Sequence, residues 1–306
     1  MIDLKNRIYL IIIVFFIQLI AFSQDNSKYS IKILGVVQDG GLPHLGSNKL
    51  CCDETEQKRY VTSIILINNE NNESYLFDAS PDINKQLNFM GDRIKKDLKG
   101  IFLTHAHIGH YTGLMYFGRE ALNSKSINVY AMPRMKKFLE QNGPWSQLVS
   151  LQNISITEID NNVKISIDSN VTIQPIEVPH RAEFSETVGY KIYGPNKKVL
   201  FIPDIDKWYL WEESIIDEIK QVDYALIDAT FYDSKEVNYR DLSEIPHPFV
   251  VESMELFDSL NIEEKNKIFF IHLNHTNPLL NNDSVEYNFV LRKGYNIAKE
   301  GMKLEL

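Results

Sequence analysis

Cysteine is nearly absent from this 306-residue chain, which holds only Cys51 and Cys52. Neighbouring cysteines rarely bond to each other, because the ring they close is strained. A disulfide-stapled scaffold is therefore excluded. The two thiols read as free and partly buried, with a metal ligand as the alternative role for one of them. Clustered basic charge is also missing. The net charge is −9 and the pI about 5.4, and no tract is rich in lysine or arginine. A nucleic-acid partner is disfavoured, because phosphate backbones call for basic surface. No internal repeat stands out at a solenoid period. The one long apolar run, Ile8 to Ala21, is broken only by Gln18 and is shorter than the roughly 20 residues of a spanning helix. Lys5 and Arg7 precede it and Ala21-Phe22-Ser23 follows, which is the layout of a secretory signal. Residues 1–23 thus read as a signal peptide and the mature chain as starting near Gln24, with an uncleaved anchor as the alternative. No cysteine follows closely enough for lipid attachment. The expected location is the bacterial periplasm or beyond, with no membrane span left after cleavage.

What is present suits one large core. Hydrophobic residues make up 44% of the chain, enough for a single domain over residues 24–306. Strands are expected at Ser30 to Val37, Tyr60 to Asn68, Ser74 to Asp78, Lys99 to Leu103 and Ile127 to Ala131. A second series covers Ile154 to Ile159, Val163 to Ile167, Val171 to Val178, Val188 to Tyr193, Lys198 to Ile202, Asp223 to Asp228 and Lys267 to Leu273. Helices are expected at Ser80 to Met90, Thr112 to Leu122, Pro133 to Asn142, Trp208 to Lys220, Pro248 to Leu260 and Ser284 to Lys299. Strands first, then alternating helices and strands, then the same order again, fit two sheets packed face to face with helices outside. Trp208-Tyr209-Leu210-Trp211 reads as core or rim packing.

Three of the eight histidines fall within six residues, at His105, His107 and His110. They follow the apolar run Lys99 to Leu103. Neutral imidazole is a good ligand for zinc, iron or manganese. On a turn leaving a strand, His105 and His107 can point the same way, and His110 can swing in from the next helix. Other candidates sit just after apolar strands: His180, Asp204 with Asp206 as a rival and possible helix cap, and His272 with His275 three residues on. The strand-end position favours His272 as a ligand. His44 and His247 lie in loops and read as surface or pocket rim.

The stretch Thr104 to Leu114 resembles the metal-binding signature of the metallo-β-lactamase superfamily, His-x-His-x-Asp-His, with Gly109 where that family has aspartate. The resemblance implies an α/β fold, the four-layer αββα sandwich. It implies a metal set of His105, His107, His110, His180, Asp204 and His272, with Asp204 as the bridging carboxylate and Asp78 holding a histidine N–H in place from behind. It further implies one or two zinc ions, with iron or manganese also suited. The expected activity is that of an exported hydrolase of a small-molecule substrate. In such an enzyme a metal-bound hydroxide attacks an ester, amide or phosphoester, Asp204 orients water and His275 protonates the leaving group. Gln38 to His44 and His272 to Leu280 are similar to segments of the pyrroloquinoline quinone biosynthesis protein B branch. An iron-dependent oxidoreductase related to that branch is accordingly the alternative activity. A non-catalytic binding protein on the same fold is a third reading, favoured by Gly109.

Overall fold

The computed structural model describes residues 27–47, 58–237, 241 and 245–306. The expected signal segment and both cysteines lie outside the described residues. Strands with apolar residues on both faces need cover on both sides, and the Ile64–Ile67 stretch is of this kind. β1 (Tyr29–Gly35), β2 (Ser63–Asn68), β3 (Ser74–Phe77), β4 (Leu98–Phe102), β5 (Ile127–Ala131) and β6 (Ile154–Glu158) form one sheet. β14 (Lys303–Glu305) closes it in the order β14-β1-β2-β3-β4-β5-β6. The second sheet is built from β7 (Ile165–Ser166), β8 (Thr172–Glu177), β9 (Val188–Tyr193), β10 (Lys198–Ile202), β11 (Tyr224–Asp228), β12 (Ile268–Ile271) and β13 (Asn296–Ile297). It runs in the order β13-β12-β11-β10-β9-β8-β7. Each sheet is antiparallel on one side and parallel on the other. The change falls at β3 in the first and at β10 in the second.

Alternation of side chains across each strand builds three apolar layers. Phe77 and Phe102 face inward, where they meet Tyr190 and Phe201 of the opposite sheet. Leu76, Ile101 and Val129 face outward onto Leu114, Phe117, Met135 and Leu139. On the far side Leu200, Ile202 and Ile227 meet Trp208, Ile215, Ile219 and Phe257. The result is the αββα sandwich expected from the sequence. Among the described residues no helix is long and apolar enough to cross a membrane.

Several expected helices are shorter or broken. Thr112 to Leu122 is instead a short helix, Ile108–Tyr111, followed by a 3-10 turn, Thr112–Phe117. The cause is close packing: Gly113 N–H bonds Ala79 O at 2.9 Å, and a Cβ on Gly113 would collide with that backbone. Trp208 to Lys220 divides because both indoles are pulled inward. Trp208 Nε1 donates to Ser253 Oγ and Trp211 Nε1 to Glu177 O. Ser214 then caps a new helix, Ile215–Gln221. The last helix stops at Arg292, where Gly294 takes φ +89°, and Asn296–Ile297 continues as an edge strand. The Trp145–Ser150 helix and β14 had no clear signal in the sequence.

Phe102 is fully buried and stacks on Tyr130 at 4.1 Å and on Phe77 at 5.2 Å. Phe102→Ala should lower unfolding free energy by about 3–5 kcal/mol, read as a shifted midpoint in urea denaturation.

Candidate metal centre

Parallel strands end on one edge of each sheet, the place where open α/β sheets bind ligands. Asp78 follows β3, His105 lies just past β4, Asp204 past β10, Asp228 ends β11 and His272 follows β12. Asp78 and His272 take φ +64°, a left-handed conformation uncommon for residues with a Cβ. That turn aims a strand-end side chain into the site, and its strain of about 1–3 kcal/mol is held by the surrounding packing.

In the first sheet Asp78, fully buried, accepts from Thr104 N at 2.8 Å, Thr104 Oγ1 at 2.9 Å and His110 Nδ1 at 2.7 Å. A hydroxyl has one proton. Since Thr104 gives its proton to Asp78, it accepts from His105 Nδ1–H at 2.9 Å. The lone pair of His105 is thereby fixed on Nε2, facing the site. The second sheet repeats the arrangement. Asp228 accepts from Thr230 N at 2.8 Å and Thr230 Oγ1 at 2.7 Å, and Thr230 Oγ1 accepts from His272 Nδ1 at 3.0 Å.

The donors fall into groups. His105, His107, His180 and Asp204 offer atoms within 4.8 Å of one another, and so do Asp39, His110 and His272. Asp204 lies between the two: its Oδ2 is 3.4 Å from His105 Nε2, 3.9 Å from His110 Nε2 and 4.0 Å from His272 Nε2. Its Oδ1 is 3.3 Å from His180 Nε2. Asp206, the rival candidate, accepts from His180 Nδ1 at 2.9 Å and so backs that ring. Buried and lacking hydrogen-bond partners are His105 Nε2, His110 Nε2, His272 Nε2, Asp39 Oδ1 and Asp204 Oδ1. Unpaired buried polar atoms are costly, and five converging ones fit a divalent cation. Mixed imidazole and carboxylate donors suit zinc, iron or manganese.

The sequence-predicted set His105, His107, His110, His180, Asp204 and His272 is thus brought together. His275 joins neither group. Leu273 is pinned by backbone bonds to Val36 and Gln38, and the His275 ring stacks on His44 at 4.1 Å. His247 corrects the rim expectation. It is buried, with Nδ1 2.9 Å from Asp228 Oδ2 and 3.1 Å from Asp204 Oδ1, because two buried carboxylates draw in its N–H. Asp39, Asp228, Thr104 and Thr230 were missed. Asp228 had a signal, since it ends an apolar strand as Asp78 does.

The groups hold one another's charge. Burial disfavours charge on His110, yet Asp78 and Asp39 outweigh it and keep its pKa well above the usual histidine value. His180 behaves alike: burial opposes its charge, but Asp204 and Asp206 raise it to about 9. His105 is pushed well below the usual value by burial and by the charge of His110. Burial works against ionisation of Asp39 and Asp204, but the neighbouring histidines hold both well below the carboxylate range. A cleft of about 440 Å³ opens over the groups, walled by Tyr111, Phe184, Phe231 and His247, with Arg181 and Glu183 at its lip.

Residues 73–273 match the family model described as the beta-lactamase superfamily domain. Coenzyme PQQ synthesis protein B of Acinetobacter baylyi is 24% identical, with 90% of this chain and 99% of that protein covered. The same-named protein of Methylobacillus flagellatus is 26% identical over the same shares. Zinc-bound PqqB from Methylobacterium extorquens superposes with a TM-score of 0.74 at 22% identity, over 90% of this chain and all of that one. A diphosphatase of the PhnP family reaches 0.64 at 19% identity, over 91% and 97%.

Thr104→Val keeps the side-chain shape but removes the hydroxyl that sets the His105 tautomer. It should weaken zinc binding by roughly ten- to hundred-fold, measured by competition with a chromophoric chelator. Any divalent cation taken up there must also displace a proton from His180, whose raised pKa keeps it charged below about 9. Calorimetry at pH 7.5 in buffers of different ionisation enthalpy should therefore show at least one proton released. Affinity should fall further as pH drops.

Proposed function

The chain belongs to the beta-lactamase superfamily, and on that premise we propose that it is a metal-dependent hydrolase of a small-molecule substrate, with zinc as the ion. One observation carries the reading: partnerless buried imidazole and carboxylate atoms converge beneath an open cleft. His105, His107, His180 and Asp204 would hold one ion, and His110, His272 and Asp204 a second. A bound ion supplies Lewis acidity and brings water toward ionisation near neutral pH.

The protein's own groups do the rest. Asp78–Thr104 and Asp228–Thr230 keep His105 and His272 in the ligating tautomer. Tyr111, Phe184 and Phe231 narrow the cleft over the donors. Arg181 at the lip, ion-paired with Glu183 at 3.2 Å, carries the cation that would meet an anionic substrate group. His247 holds a proton at Nδ1 against Asp228 and Asp204 on the cleft wall. Those carboxylates also keep the ring charged, so in this reading its other proton, at Nε2, is the one supplied to the leaving group, in place of His275. Export remains part of the proposal, supported by Lys5, Arg7 and the run Ile8 to Ala21.

A second reading, an iron-dependent oxidoreductase, draws on the similarity to coenzyme PQQ synthesis protein B and on a donor set that also suits iron. Metal analysis of the mature protein, followed by a screen of esters, lactams and phosphodiesters, separates the two. Zinc or manganese with chelator-sensitive hydrolysis is expected. Tightly bound iron with oxygen consumption would favour the second reading. His105→Ala and His180→Ala should each abolish metal-dependent turnover, and full activity in either would sink the hydrolase assignment.

A further inference from the structure

Gly109 stands where the resemblance calls for an aspartate, and the space beside it is already filled. A Cβ built on Gly109 would lie 2.8 Å from both Cα and Cγ of Asp39 and would overlap its Oδ1. A side chain at 109 and the Asp39 carboxylate therefore exclude each other. Asp39 arrives from a distant part of the chain, the loop after β1. Gln38 N–H bonds Leu273 O at 2.9 Å, next to His272, and Gly41 turns the loop away with φ +68°. Asp39 Oδ1 then sits 3.1 Å from His110 Nε2 and 3.7 Å from His272 Nε2. All three atoms are buried and without hydrogen-bond partners.

We propose that Asp39 supplies the carboxylate of a second metal subsite with His110 and His272, in the volume that the absent side chain at position 109 leaves open. The subsite keeps its anionic ligand, but draws it from another loop. The missing family aspartate then marks a relocated ligand, and the binding-protein reading loses its main support. The inference rests on the metal-centre reading above.

The test is zinc stoichiometry and affinity of the full mature chain, by calorimetry and elemental analysis, for four proteins: the wild type, Asp39→Asn, Gly109→Asp and the double exchange Asp39→Gly/Gly109→Asp. The wild type should take two ions per chain. Asp39→Asn should keep the ion of His105, His107 and His180 while its second ion binds at least roughly a hundred-fold more weakly, since loss of a ligand exceeds loss of an outer partner. That retained first ion shows that the variant is folded. Gly109→Asp alone should disturb the second ion, because two carboxylates compete for one space, and the double exchange should restore it. Two ions of unchanged affinity in Asp39→Asn would overturn the proposal, as would loss of both. A single ion in the wild type, unaffected by Asp39→Asn, would overturn it while leaving the hydrolase reading intact. No ion in the wild type, even after loading, would overturn that reading itself.

Discussion

A threonine hydroxyl has a single proton to give, and much of this site follows from where two of them give it. Thr104 donates to Asp78 and Thr230 to Asp228, so each must accept from a histidine. That choice leaves His105 and His272 with their lone pairs turned toward the donor groups. Both carboxylates are fully buried, where a charge persists only if its lone pairs are bonded. Backbone N–H groups of Thr104, Thr230 and Ile205 contribute to that. The two sheets reach the same solution at corresponding strand ends, one on each side of the sandwich.

The sandwich and the motif were legible because they are local. Apolar runs ending in aspartate or histidine mark strand ends, and three histidines in six residues mark a ligand loop. Asp39 was not legible, because nothing in Gln38-Asp39-Gly40-Gly41 tells that its carboxylate meets His110, some seventy positions on. His247 was hidden for a related reason: its loop looks polar and exposed, and only the pairing of Asp204 with Asp228 draws it inward. Strand positions were read more accurately than helix lengths. Strands follow alternation, whereas Gly113, Trp208, Trp211 and Gly294 end or bend helices through contacts far away in sequence.

Electrostatically, the centre is a set of mutual compromises. Burial alone would strip charge from every member, yet carboxylates and imidazoles lie close enough to keep one another ionised in several cases. Protons and cations therefore compete for the same atoms. The relative order of the pKa values, with His105 low and His180 high, means that the ligands are not equally easy to free.

The last strand carries one more implication. β14, at residues 303–305, lies beside β1, and Leu306 N–H bonds Tyr29 O, joining positions that are almost the whole chain apart. β1 leads into the loop that presents Asp39. Until residues 303–306 pair with it, β1 has a bare edge and its loop lacks part of its footing. Ordering of the centre is thus tied to the arrival of β14. A chain that has reached His272 carries every histidine of the donor groups before that strand can steady the loop presenting Asp39, so the donors come together late in folding.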